Sequence, residues 1–126
     1  MASLAFPQLA KKATLSDGTT YGYVYSPAKD SKPTFLFLHG APSSSYIWRN
    51  QIERLPKLGY GVLAPDLLGY GDTDKPRDYE AYQLTKYIVP QVAELTTKVV
   101  GSTKVIGVGH DWYAPAEQKR RTRARC

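Results

Sequence analysis

Three short apolar runs punctuate the chain, and the spacing between them carries the architecture. Thr34-Phe35-Leu36-Phe37-Leu38, Tyr60-Gly61-Val62-Leu63-Ala64-Pro65 and Val105-Ile106-Gly107-Val108-Gly109 are of strand length and are apolar without alternation, the pattern of strands buried on both faces of a parallel sheet. Between the first two, Trp48, Ile52 and Leu55 recur at i, i+4 and i+7. Ser43, Ser44 and Ser45 stand ahead of them as caps, Pro56 ends or kinks the turn and Gly59 closes it, so a helix is predicted there. Between the second and third runs, Leu84, Ile88, Val92, Leu95 and Val99 hold helical spacing, with Pro90 as a kink and Gly101 as the end. Upstream, Thr14 to Thr20 leads into Tyr21-Gly22-Tyr23-Val24-Tyr25 through Asp17-Gly18, a hairpin signature. The succession predicts an α/β fold: a mostly parallel sheet with helices on both faces, preceded by a β-hairpin.

Length and composition sharpen this picture. The chain has 126 residues, room for one modest domain, and its 42% hydrophobic and 22% charged fractions suit a soluble globular protein. No apolar run is long enough to span a bilayer, so no membrane partner is expected. In the first ten residues Pro7 and Gln8 interrupt the apolar stretch, and Lys11 and Lys12 follow it instead of preceding it, so a secretory signal is not expected. The single cysteine, Cys126, permits no internal disulfide, and the expected compartment is the reducing cytoplasm. The net charge of +6 first suggests a nucleic-acid partner, but residues 115–126 hold five cations against one anion, four of the six net charges. The basic character thus belongs to a tail. A solvated end is the expected reading, and phosphate binding by that tail is the alternative.

Candidate chemistry gathers where such a sheet puts it, at the carboxyl ends of the strands. His39-Gly40-Ala41-Pro42 follows the first run, Asp66 the second, and His110-Asp111-Trp112 the third. Gly109 and Asp111 occupy the small position and the apex of a nucleophile elbow, a tight strand-to-helix turn that exposes one side chain. A carboxylate at the apex is already an anion at neutral pH and can attack carbon without a base. A capping Asp between strand and helix is the alternative for Asp111, and convergence of the three strand ends favours the nucleophile.

On these residues the chain resembles the α/β-hydrolase superfamily and, within it, the epoxide hydrolases, particularly fungal ones. His39-Gly40-Ala41-Pro42 looks like the His-Gly-x-Pro oxyanion segment, Pro65-Asp66-Leu67-Leu68-Gly69-Tyr70-Gly71-Asp72-Thr73-Asp74-Lys75-Pro76 like the loop after the next strand, and Gly109-His110-Asp111-Trp112 like the nucleophile segment. Haloalkane dehalogenases, which share an Asp elbow followed by Trp, are the closest competing subfamily. The resemblance implies a small-molecule epoxide substrate and no cofactor or metal. It implies that Asp111 attacks an epoxide carbon to form an ester, and that the backbone N–H groups of Trp112 and Ala41 stabilise the oxyanion formed when water attacks that ester. His39 would orient the oxyanion segment and Pro42 would fix its turn. Asp66 is read as structural, bonding loop N–H groups.

The chain also departs from that pattern. The resemblance calls for a base histidine, its acid partner and cap tyrosines after the elbow, whereas both histidines, His39 and His110, precede Asp111 and no tyrosine follows Tyr113. Tyr113 stands where the elbow needs a second glycine. Residues 1–112 are therefore expected to form a partial α/β-hydrolase core and 113–126 a basic, disordered tail. The expectation is the amino-terminal part of an epoxide hydrolase whose reading was cut or shifted after the elbow, inactive or limited to a single turnover.

Overall fold

The computed structural model describes residues 2–40, 43–101 and 105–110. Among the described residues five strands form one sheet: β1 (Ala10–Thr14), β2 (Thr20–Ser26), β3 (Thr34–Leu38), β4 (Gly61–Pro65) and β5 (Val105–Gly109). Their order is β1-β2-β4-β3-β5. β3 pairs in parallel with β4 and β5, while β2 runs antiparallel to both β1 and β4. The predicted hairpin is thus part of the sheet rather than an appendage to it. At its turn, Thr19 N–H reaches the Asp17 carboxylate at 2.9 Å and Gly18 takes a φ of 88°, which suits a residue without Cβ.

Alternation along the strands builds two cores. Leu36, Leu38 and Leu63 point to one face and meet Val92 and Leu95 of the helix α3 (Val89–Val100) and Ile88 just before it. Phe37, Val62 and Ala64 point to the other face and meet Ile52, Trp48 and Leu55 around the helix α2 (Arg49–Arg54). Successive strand residues alternate faces, so an unbroken apolar run feeds both. Leu95 is wholly buried against the sheet. Leu95→Ala is expected to lower stability by about 3 kcal/mol through lost transfer energy and a cavity, readable as a lower urea midpoint with an unchanged slope.

Two helix expectations change in detail. The segment Ser45–Trp48 is a tight three-residue-per-turn entry capped by the Ser44 hydroxyl, which accepts the Tyr46 N–H, and the α-helix proper begins at Arg49. Pro90 does not kink α3 in mid-course: it sits in the first turn, preceded by a widened turn over Leu84–Ile88 in which Ile88 N–H bonds Gln83 O and Val89 N–H bonds Leu84 O. Proline lacks an N–H and its ring excludes the carbonyl four residues back, so the chain enters the helix through a wide turn.

β5 differs from its sequence reading. Each of its five residues is half-buried rather than buried, because among the described residues β3 is its only strand partner and the sheet ends there. The opposite edge, β1, is protected by the exposed Lys11 and Lys12, a common device against edge pairing. Among the described residues no helix is long and apolar enough to cross a membrane. Residues 111–126, with Asp111, Trp112 and the expected tail, lie outside the described residues, as do Ala41 and Pro42.

Candidate active site

The parallel pairing of β3 with β5 sets Leu38 beside Gly109. One further bond, from His110 N–H to Leu38 O at 3.0 Å, carries the ladder past the strand ends. The segment entering at His39-Gly40 and the segment entering at His110 therefore leave the sheet side by side. On the other flank of β3, β4 ends at Pro65 and delivers Asp66 and Leu67 to the same rim.

His39 is fully buried and both ring nitrogens are engaged. Nε2 accepts the Leu67 N–H at 2.9 Å, and Nδ1 lies 2.8 Å from the carbonyl oxygen of Gly40. An amide N–H facing Nε2 requires a lone pair there, so the proton sits on Nδ1 and is donated to Gly40 O. Tyr70 packs edge-on against the ring, with centroids 5.4 Å apart. Burial pushes the His39 pKa below its ordinary 6.5, partly opposed by the Gly40 carbonyl and the charge of Asp66.

A lowered folded pKa means that the unfolded chain binds more protons just below pH 6.5. The stabilisation from neutral His39 is therefore complete above that pH and is lost as pH falls toward the folded value. Urea midpoints are expected to hold above pH 6.5 and to decline below it, and His39→Gln should remove that component of the decline. A pH profile identical in the variant would contradict the assignment.

Asp66 is buried, and its carboxylate is satisfied by N–H and O–H donors. Oδ1 accepts the Ser45 N–H at 2.8 Å and the Ser45 hydroxyl at 2.7 Å, and Oδ2 accepts the Asp72 N–H at 3.1 Å. This agrees with the structural role expected for Asp66. Ser45, read as a helix cap, has its hydroxyl turned to Asp66 instead, and Thr73 joins the same network through a hydroxyl bonded to Asp66 O. Thr73 lies within the loop motif, whereas the role of Ser45, 21 positions from Asp66, has no signal in the sequence.

The family described as alpha/beta hydrolase fold matches residues 33–112. The chain belongs to that family. Within this α/β hydrolase chain the matched stretch begins just before β3 and ends at Trp112, so it takes in both strand ends described above. Epoxide hydrolase A of Mycobacterium tuberculosis is 38% identical over 91 residues, which are 72% of this chain and 28% of that protein. Epoxide hydrolase 3 of Siraitia grosvenorii is 44% identical over 82 residues, 65% of this chain and 25% of its own. Among solved structures, an epoxide hydrolase from Vigna radiata superimposes with a TM-score of 0.72 at 34% identity, over 86% of this chain and 33% of that one. One from an endophytic Streptomyces gives 0.77 at 28% identity, over 90% and 32%. The chain spans about a quarter to a third of the length of these relatives.

Of the residues singled out in the sequence, His39 is thus placed at the rim beside β5, holding the β4 loop. Ala41, Pro42, Asp111 and Trp112 directly continue the adjoining segments but lie outside the described residues.

Proposed function

We propose that this α/β hydrolase chain carries the nucleophile and oxyanion half of an epoxide hydrolase site. The observation that supports it most is the pairing of Leu38 with Gly109, which delivers the His39-Gly40 and His110 segments to the same rim, one residue before Ala41 and one before Asp111. The names of the relatives favour an epoxide over a haloalkane.

In the proposed first step an Asp111 carboxylate oxygen attacks an epoxide carbon. The ring C–O bond breaks, the new ester forms, and the released alkoxide takes a proton from solvent. The backbone N–H groups of Trp112 and Ala41 would hold the other carboxylate oxygen and, in the second step, the oxyanion formed as water adds to the ester. Release of the diol then needs a base to take the proton of that water. His39 cannot serve, because its Nε2 lone pair is committed to Leu67 N–H inside the protein. His110 is the residue immediately before the nucleophile, too close along the chain to take the place of a base supplied from a separate element.

Residues 1–126 on their own are therefore expected to react once. With excess styrene oxide, label should rise to one epoxide per chain on Asp111 while diol release stays at the uncatalysed rate. Diol production that continues over many equivalents would overturn the single-turnover reading.

A further inference from the structure

The tip of the β1–β2 hairpin is Asp17-Gly18, the single Asp-Gly pair in the sequence. Such a pair carries a chemistry of its own. With no side chain on the glycine to hinder it, the backbone nitrogen can close on the preceding Asp side chain to give a five-membered succinimide. In that step a bond forms between Gly18 N and Asp17 Cγ and a Cγ–O bond breaks. The oxygen leaves as water, taking the carboxyl proton and the amide proton with it. Water then reopens the ring at either carbonyl. Opening at Cγ restores Asp17, whereas opening at the main-chain carbonyl leaves isoaspartate, with the chain rerouted through Cγ and lengthened by one methylene. Both residues are exposed, and a Cβ on Gly18 would meet nothing within 4 Å. Neither burial nor crowding protects the pair.

Hydrogen bonds restrain it instead. Asp17 Oδ1 accepts the Thr19 N–H at 2.9 Å, and Oδ2 accepts Gln91 Nε2 at 2.9 Å. A carboxylate held at both oxygens does not turn its carbon toward its own backbone. The same donors, Thr19 N–H first and the Gln91 amide next, push the Asp17 pKa below its ordinary 3.8, and the hydroxyl that must leave exists only in the protonated carboxyl. The attacking nitrogen is engaged as well, since Gly18 N–H bonds Leu15 O at 3.0 Å. Gln91 is only 8% exposed on α3, and its Oε1 accepts the Tyr21 hydroxyl at 2.8 Å, which directs its amide nitrogen to Asp17. One and two turns further along α3, Glu94 accepts the Ser16 N–H at 2.7 Å together with the Ser16 hydroxyl, and Lys98 reaches Thr14 O at 2.8 Å. Positions 91, 94 and 98 share one helix face, so α3 grips the hairpin tip along its length.

We propose that Asp17-Gly18 is a site of spontaneous isoaspartate formation and that α3 restrains it through Gln91. The modification, once made, unfastens the hairpin from the helix. Its extra methylene displaces the turn that sets Thr14 opposite Thr20, and its free carboxylate is no longer the group that Gln91 and Thr19 hold.

The test follows isoaspartate at position 17 in the full chain during prolonged incubation at neutral pH. The readouts are peptide mapping and methyl transfer from S-adenosylmethionine by an isoaspartate-specific methyltransferase. Two variants remove the restraint differently. Gln91→Glu keeps an acceptor for the Tyr21 hydroxyl but replaces the amide donor with a like charge beside Asp17, whereas Gln91→Met removes the donor without adding charge. Circular dichroism and the urea midpoint establish that each variant is folded. Both are expected to form isoaspartate roughly 10-fold faster than the folded parent, toward the rate of the parent unfolded in urea. Absence of isoaspartate from the unfolded chain would overturn the site. Equal rates in the folded and unfolded parent would overturn the restraint, and a folded Gln91 variant that reacts at the parental rate would overturn the role of Gln91.

Discussion

Asp111→Asn is expected to abolish epoxide labelling of the chain, with the rate of ester formation falling on the order of 10⁴-fold or more, as when a nucleophile is removed from its site. An aspartate side chain is an anion at neutral pH, and its oxygen needs no base to attack a strained ring. The amide of Asn has nearly the same shape but no charge, and the lone pair of its nitrogen is delocalised into the carbonyl. Circular dichroism and the urea midpoint should therefore be close to those of the parent, so that lost labelling reports chemistry. Cys126 is also a nucleophile toward epoxides, so the comparison belongs in a Cys126→Ser background. Labelling of the Asn variant at the parental rate would remove Asp111 from the mechanism.

Asp66→Ala is expected to be the most destabilising single change at the rim, by roughly 4 kcal/mol. Its carboxylate is the acceptor for Ser45 N–H, the Ser45 hydroxyl and Asp72 N–H, all at or close to a residue only 2% exposed. Removing it leaves three donors short of a partner, each costing about 1–3 kcal/mol where water cannot replace the lost bond. A domain of this size holds only about 5–15 kcal/mol in all, so the variant should melt far below the parent or fail to fold. Gly71→Ala attacks the same place from the other side, since its Cβ would overlap the Asp66 carboxylate. A urea midpoint within experimental error of the parent for Asp66→Ala would show that the network carries little of the stability.

The elements that carried their own physical signal were legible in the sequence. Unbroken apolar runs feeding two cores located β3 and β4, and the 3.6-residue period from Leu84 to Val99 located α3. Gly59, at a φ of 89°, and Gly101, at 80°, ended their helices as expected. What was not legible depends on distant partners. β1, Ala10-Lys11-Lys12-Ala13-Thr14, has no apolar alternation and is a strand only because β2 offers it a ladder. The short helix α1 (Ala2–Ala5) is similarly silent, and it is held by Ala2 packing into the α2-side core. The widened turn before Pro90 follows from the missing N–H, but the choice between a kink and a wide entry is made by packing.

The site divides along the same line. His39, Asp66 and Asp111 could be singled out because each follows an apolar run of strand length; the structure places His39 and Asp66 at one rim, while Asp111 lies outside the described residues. The partners of His39 and Asp66 could not. Leu67 and Ser45 enter as a backbone N–H and a hydroxyl, and the separation of Ser45 from Asp66 by 21 positions leaves no periodic trace. Tertiary placement decides which of several serines in Ser43-Ser44-Ser45 faces the carboxylate.

The account turns on the Asp111 carboxylate being the group that opens the epoxide. The direct measurement is a peptide map of the styrene-oxide-treated Cys126→Ser chain by tandem mass spectrometry, with and without hydroxylamine, which cleaves esters but leaves alkylated imidazoles intact. The account predicts one modification, on Asp111, removed by hydroxylamine. A label that resists hydroxylamine and maps to His110 or His39, or a peptide containing Asp111 that stays unmodified while the others react, would contradict it.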